Sequence, residues 1–148
     1  MKITKRELQD YCWLKLNIQK LEDRLQVLQS RAESVTQSME QEVVSGGCKR
    51  DRLGDSVAEI VKVSDQINRE LNRMYRTELR IREAISVLPE REKMLMTLRY
   101  LECKSWEEVA VEMGYSWQHV HKIHPRCLEI LGVLKRGDRM RVLKCDIS

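Results

Sequence analysis

Apolar residues separated by strictly alternating steps of three and four run without a break from Tyr11 to Met39. One column is Tyr11, Ile18, Leu25, Ala32 and Met39; the other is Leu14, Leu21, Leu28 and Val35. Such steps gather side chains on one side of a helix with about 3.6 residues per turn, whereas a strand would need steps of two. The spacing predicts one long amphipathic helix over residues 4–39. Thr4 and Glu7 are placed for a capping box at its start, the hydroxyl and carboxylate each accepting from a backbone N–H that lacks a helical partner. A second seam follows at Val57, Ile60, Ser64, Ile67, Leu71, Met74, Glu78, Ile81, Ile85 and Leu88. Its polar positions, Ser64 and Glu78, are of the kind that set register. Between the seams, Gly46, Gly47, Gly54 and the run Cys48–Arg52 read as a loop over about 43–55, with Ser56 and Glu59 as a second capping box. Two apolar stripes cannot both face water. The helices therefore close into an antiparallel hairpin, residues 1–87, or pair with another subunit. A two-helix core is thin, so a homodimer through this arm is expected.

Composition agrees with an all-α chain. Charged residues make up 34%, aromatics 5%, and there is no Phe. The 27 basic and 23 acidic residues leave a net charge of +4, too small to identify a polyanionic partner. No stretch approaches about 18 uncharged apolar residues, so no membrane span is expected. Asp10 falls where a secretory signal would need its apolar core, which points to the cytoplasm. The cysteines at 12, 48, 103, 127 and 145 form no C-x-x-C pair and read as free thiols of a reducing compartment. Phosphate-binding glycine loops, G-x-S-x-G and H-E-x-x-H are absent, so neither catalysis nor a cofactor is expected.

The most specific spacing lies further on. Pro89 suits the first position of a helix, where its missing N–H costs nothing, and Glu90 and Glu92 complement the helix dipole. Ser105 and Glu108 form a capping box before a short helix from Trp106 to Met113. Gly114 ends that helix, and Ser116 caps the next. Counted from Trp106 as position one, Val109 stands at four, Ala110 at five, Met113 at eight, Gly114 at nine, Tyr115 at ten, Val120 at fifteen and Ile123 at eighteen. A DNA-reading helix-turn-helix needs a small residue at five, where the helices cross. It favours glycine at nine, and it needs apolar residues at the other five positions. All seven are met. The second helix of such a unit enters the major groove. Ser116, Trp117, Gln118, His119, His121, Lys122 and Arg126 are therefore the expected DNA-binding residues. Gln118 is suited to adenine and Lys122 to guanine or phosphate. No acidic residue occurs between Glu112 and Glu129.

Leu88-Pro-Glu-Arg-Glu, Leu98-Arg-Tyr-Leu, Lys104-Ser-Trp-Glu-Glu-Val-Ala and Met113-Gly-Tyr-Ser resemble the region-4 helix-turn-helix of bacterial sigma factors, over residues 88–131. With its Leu/Glu/Lys-rich arm, the whole layout resembles phage and prophage regulators of the ArpU and RinA kind. The resemblance implies control of phage late or packaging genes inside a bacterial host cell. Its implied partners are double-stranded DNA and, as a further candidate, RNA polymerase. Sigma factors often carry Arg where this chain has Trp117, His119 and His121, so promoter −35 recognition is not carried over. The competing readings are an interaction module that grips RNA polymerase or a host protein without reading DNA, and a small enzyme such as a nuclease component, which would need a metal-carboxylate cluster that the sequence does not offer.

Other features are weighed against plainer roles. His119, His121, His124 and Cys127 suggest zinc, but 119 and 121 point about 200° apart on a helix, so surface or groove-facing histidines are the better reading. Pro125 removes a hydrogen bond to the carbonyl of residue 121, which predicts a kink or stop near His124 and a new segment to about Leu131. Trp13 is read as covering the seam. Arg69, Arg73, Arg76 and Arg80, interleaved with Glu70, Glu78 and Glu83, are read as a solvated face. The tail 132–148 carries five basic and two acidic residues and is a candidate for phosphate contact.

Overall fold

The computed structural model describes residues 3–41 and 48–133, all-α with no strand among them. The side chain of Met39, the glycine pair at 46–47 and the tail from residue 134 lie outside what it describes. Five helices follow one another: α1 (Lys5–Gln41), α2 (Cys48–Ile85), α3 (Glu90–Met96), α4 (Trp106–Met113) and α5 (Trp117–Ile130). A π-helical turn, Thr97–Leu101, continues from α3. Among the described residues, no helix is long and apolar enough to cross a membrane.

The chain groups into two compact units. One holds residues 14–73, the greater part of both long helices; the other combines residues 1–13 with 74–148. In the first unit α1 and α2 run antiparallel as a helical hairpin. Leu28, Val63 and Ile67 form its buried centre, flanked by half-buried Leu21, Leu25, Ile60 and Leu71, and Arg24 pairs with Glu59 across the hairpin. These are largely the seam residues, as the spacing requires. Val57 is half exposed, while Val63, outside the expected column, is buried. The helix begins at Cys48, so residues 48–55 are helical rather than part of a loop. Gly54 sits within it, and Ser56 does not cap; its hydroxyl donates back to the Arg52 carbonyl at 2.8 Å. That back-bond is the alternative a serine takes inside a helix.

The second unit has the larger core. Leu8 and Tyr11 of α1, Ile81 and Ile85 of α2, Leu95, Met96 and Leu98, Trp106, Val109 and Ala110 of α4, and Val120, Ile123 and Leu128 of α5 share one buried cluster. Each fully buried Leu or Ile stabilises by roughly 1.5–3 kcal/mol. The expected capping box at Thr4 is present: Thr4 N–H donates to Glu7 at 2.8 Å, and Glu7 N–H to the Thr4 hydroxyl at 3.2 Å. The polar seam position Glu78 accepts from Tyr11 Oη at 3.0 Å, which gives it a specific partner. Arg80 bonds Glu7 at 2.6 Å, and Arg69, Arg73 and Arg76 are exposed. Trp13 is 64% exposed, so it does not cover the seam.

Expectations at Cys12–Cys103 and at Pro125 are overturned in this unit. Cys12 and Cys103 form a disulfide, with Cα atoms 5.7 Å apart, rather than standing as free thiols. They are 91 residues apart, so only the packing of the start of α1 beside the turn before α4 brings them together. Cys127 is free, and burial pushes its thiol up to about 12. Secondly, α5 continues through Pro125. The ring is buried, as are Ile123, His124, Cys127 and Leu128 around it. Tertiary burial on both sides of the proline offsets the roughly 3 kcal/mol that the residue costs in a helix interior.

Candidate nucleic-acid interface

Each joint of the helix-turn-helix is set by a local cap. The Ser105 hydroxyl accepts from Glu108 N–H at 3.2 Å and the Glu108 carboxylate from Ser105 N–H at 2.7 Å, the reciprocal box expected at the start of α4. Gly114 closes α4 with φ +68°, and the following N–H of Tyr115 reaches the Ala110 carbonyl at 2.9 Å while that of Gly114 reaches Val111 at 3.2 Å. This bond pair satisfies two carbonyls that a helix end leaves open. Ser116 then caps α5 by accepting from His119 N–H at 3.2 Å. Val109 and Val120 are fully buried at the crossing, and Ala110 and Ile123 nearly so. Gly132 (φ +70°) ends α5 by the same bond pair, Val133 N–H to Leu128 and Gly132 N–H to Glu129.

The N-terminal end of α5 is therefore held at a defined angle to α4. Ser116, Trp117, Gln118, His119, Lys122 and Arg126 are exposed. His121 is not: it is 4% exposed, and His124 is fully buried. The helical period places 117, 121 and 124 along one side, and that side meets α4. The His121 ring lies 4.7 Å from Trp106 and 3.9 Å from Trp117, centroid to centroid. His124 lies 4.7 Å from Trp106, and its Nε2 is 2.7 Å from Tyr100 Oη on the π-helical turn. The Arg99 guanidinium sits 4.6 Å from the Trp106 ring centre on the same cluster, a cation–π contact. Burial, with the nearby charges of Lys5, His121 and Arg99, lowers the His124 pKa to about 3, so this imidazole is neutral in the folded protein. Among the described residues no group of three His, Cys, Asp or Glu is placed to hold a metal ion.

Tyr115 also departs from expectation. Its spacing makes it a locking residue, yet it is 36% exposed with its ring edge-on to His119 at 4.7 Å. The signal was present: His119 and His121 each stand four residues after an aromatic, the spacing at which helical side chains meet. Around the tip of α5, Tyr115 thus pairs with exposed His119 and Trp117 with buried His121, and Gln118 and Lys122 are exposed beside them. Behind it, α4 is acidic, with Glu107, Glu108 and Glu112 exposed around Val111, itself 82% exposed. Lys104 pairs with Glu102 and Glu112, which raise its pKa. Glu92, nearly buried on α3, bonds Arg91 at 2.7 Å, and this guanidinium holds its carboxyl below the usual range.

Residues 84–131 match the family model described as Sigma-70, region 4. Over 76 residues the chain is 30% identical to the RNA polymerase sigma-G factor of Clostridium acetobutylicum; these residues are 51% of this chain and 29% of that factor. The chain thus aligns with less than a third of that relative's length. No solved structure matches it. The matched segment runs from the last turn of α2 through α5, and what it folds into is a sigma-region-4-like helix-turn-helix.

Proposed function

We propose that the chain is a sequence-specific DNA-binding transcriptional regulator, non-catalytic, that inserts the N-terminal half of α5 into the major groove. The observation that carries this reading is the exposed, acid-free tip of α5, with Trp117, Gln118, His119 and Lys122 on a helix-turn-helix matching sigma-70 region 4. Ser116 and Arg126 flank it as phosphate contacts. The overall layout, a helical arm ahead of this domain, supports a role in phage or prophage late-gene control. The hairpin's thin centre, with Val27, Val57 and Val61 about half exposed, supports a homodimer through the arm.

The test is selection of bound duplexes from a random pool, followed by titration of the selected site. Gln118→Ala and Lys122→Ala are each expected to weaken binding by about 1–3 kcal/mol and to relax preference at one base pair. Equal binding to all sequences, or no loss in either variant, refutes groove reading. A second reading is favoured by the acidic face of α4: Glu107, Glu108 and Glu112 around Val111 suit a basic protein surface such as one on RNA polymerase. Capture of polymerase by a chain that shows no salt-steep DNA binding would favour it.

A further inference from the structure

We infer that His121 is a positioning residue: its buried ring sets the orientation in which the Trp117 indole is offered to DNA. The inference rests on the DNA-reading function proposed above and deepens it. Trp117 is the first residue of α5 and is 40% exposed, so part of its indole is free for a partner. Its ring is in contact with His121 at 3.9 Å, inclined by 45°. His121 in turn contacts Trp106 at 4.7 Å, and Trp106 is 6% exposed and anchored in the domain core. Arg99 sits against Trp106 from the π-helical turn. The arrangement is a stack that begins on an interior scaffold and ends at the exposed tip of the helix.

An exposed indole at a first helical position would otherwise have several staggered rotamers open to it, and ordering it on binding would cost side-chain entropy. Contact with a buried ring four residues on restricts that choice before DNA arrives. Truncating His121 removes the support and opens space beside Trp106, into which the indole can fold away from the surface. Phe supplies a flat ring of similar width without ring nitrogens and restores the support. Gln118 and Lys122 are exposed and are not among the rings of this stack.

The experiment is a double-variant cycle on the full chain, with the selected duplex as probe: Trp117→Ala, His121→Ala, both together, and His121→Phe. If His121 acts through Trp117, both single variants weaken binding. The double variant then binds within about twofold of the weaker single variant, because sites acting as one unit are not additive. His121→Phe recovers most of the affinity, and the base preferences lost in His121→Ala are those lost in Trp117→Ala. Multiplying losses, unchanged binding by His121→Ala, or failure of His121→Phe in a chain that keeps its wild-type melting temperature each overturn the inference. If the wild type itself shows no sequence preference, the DNA-reading function falls and the inference with it. That result is distinct from a selective wild type whose His121 variants bind normally.

Discussion

One methyl group added at two glycines should have opposite effects, and the difference tests the turn on which the site depends. Gly114 has φ +68° and ψ +29°, and a Cβ there would meet no heavy atom within 4 Å. Gly114→Ala therefore carries no steric penalty from neighbours, only the cost of a left-handed L-residue, roughly 1–2 kcal/mol. The smaller entropy of the unfolded alanine chain returns about 0.4–1 kcal/mol. The net loss is about 1 kcal/mol, or a fall in melting temperature of roughly 4–8 °C for a domain of this size. Gly114→Asn, which tolerates this conformation better, should lose less. Gly54 also has open space around it but lies within α2. Gly54→Ala should instead stabilise by about 0.5–1 kcal/mol, the helix-interior difference between the two residues. Urea unfolding followed by helical circular dichroism measures both. A loss above about 3 kcal/mol at Gly114, beyond what a left-handed residue costs, would mean the turn is crowded. A gain there would mean it is not left-handed. Either result refutes the geometry that aims α5.

Further expectations follow from the same structure. Reducing Cys12–Cys103, or replacing either with Ser, frees a 91-residue separation and should cost roughly 4–5 kcal/mol on the chain-entropy scale; an unchanged urea midpoint with dithiothreitol would exclude the cross-link. His124 stays neutral when folded down to about pH 3, while the unfolded imidazole takes up a proton below about 6.5. The unfolded state thus binds more protons between these values, and stability should fall as pH drops from 6.5 towards 3; His124→Gln should flatten that slope. Ser105→Ala removes the α4 capping box and should cost about 0.5–2 kcal/mol in urea unfolding.

Features decided between near neighbours along the chain are the ones that spacing reveals. The 3–4 spacing, the boxes at Thr4–Glu7 and Ser105–Glu108, the positive φ at Gly114 and the cap at Ser116 involve partners within a few residues, so spacing alone shows them. The helix-turn-helix and most of its exposed tip were legible for that reason. The outcomes at Pro125, Cys12–Cys103 and His121 were not, because each depends on atoms distant in sequence. Core packing on both sides carries α5 through a proline that local rules would make its end. The fold of α1 beside the turn before α4 joins two cysteines that no spacing connects. Periodicity places His121 on a face of α5, but only the tryptophan delivered by α4 decides that this face is interior. Local hydrogen bonds and period shape the elements; long-range burial selects which polar groups are taken out of water, and that choice removes His121 from the surface on which Trp117, Gln118 and Lys122 stay exposed.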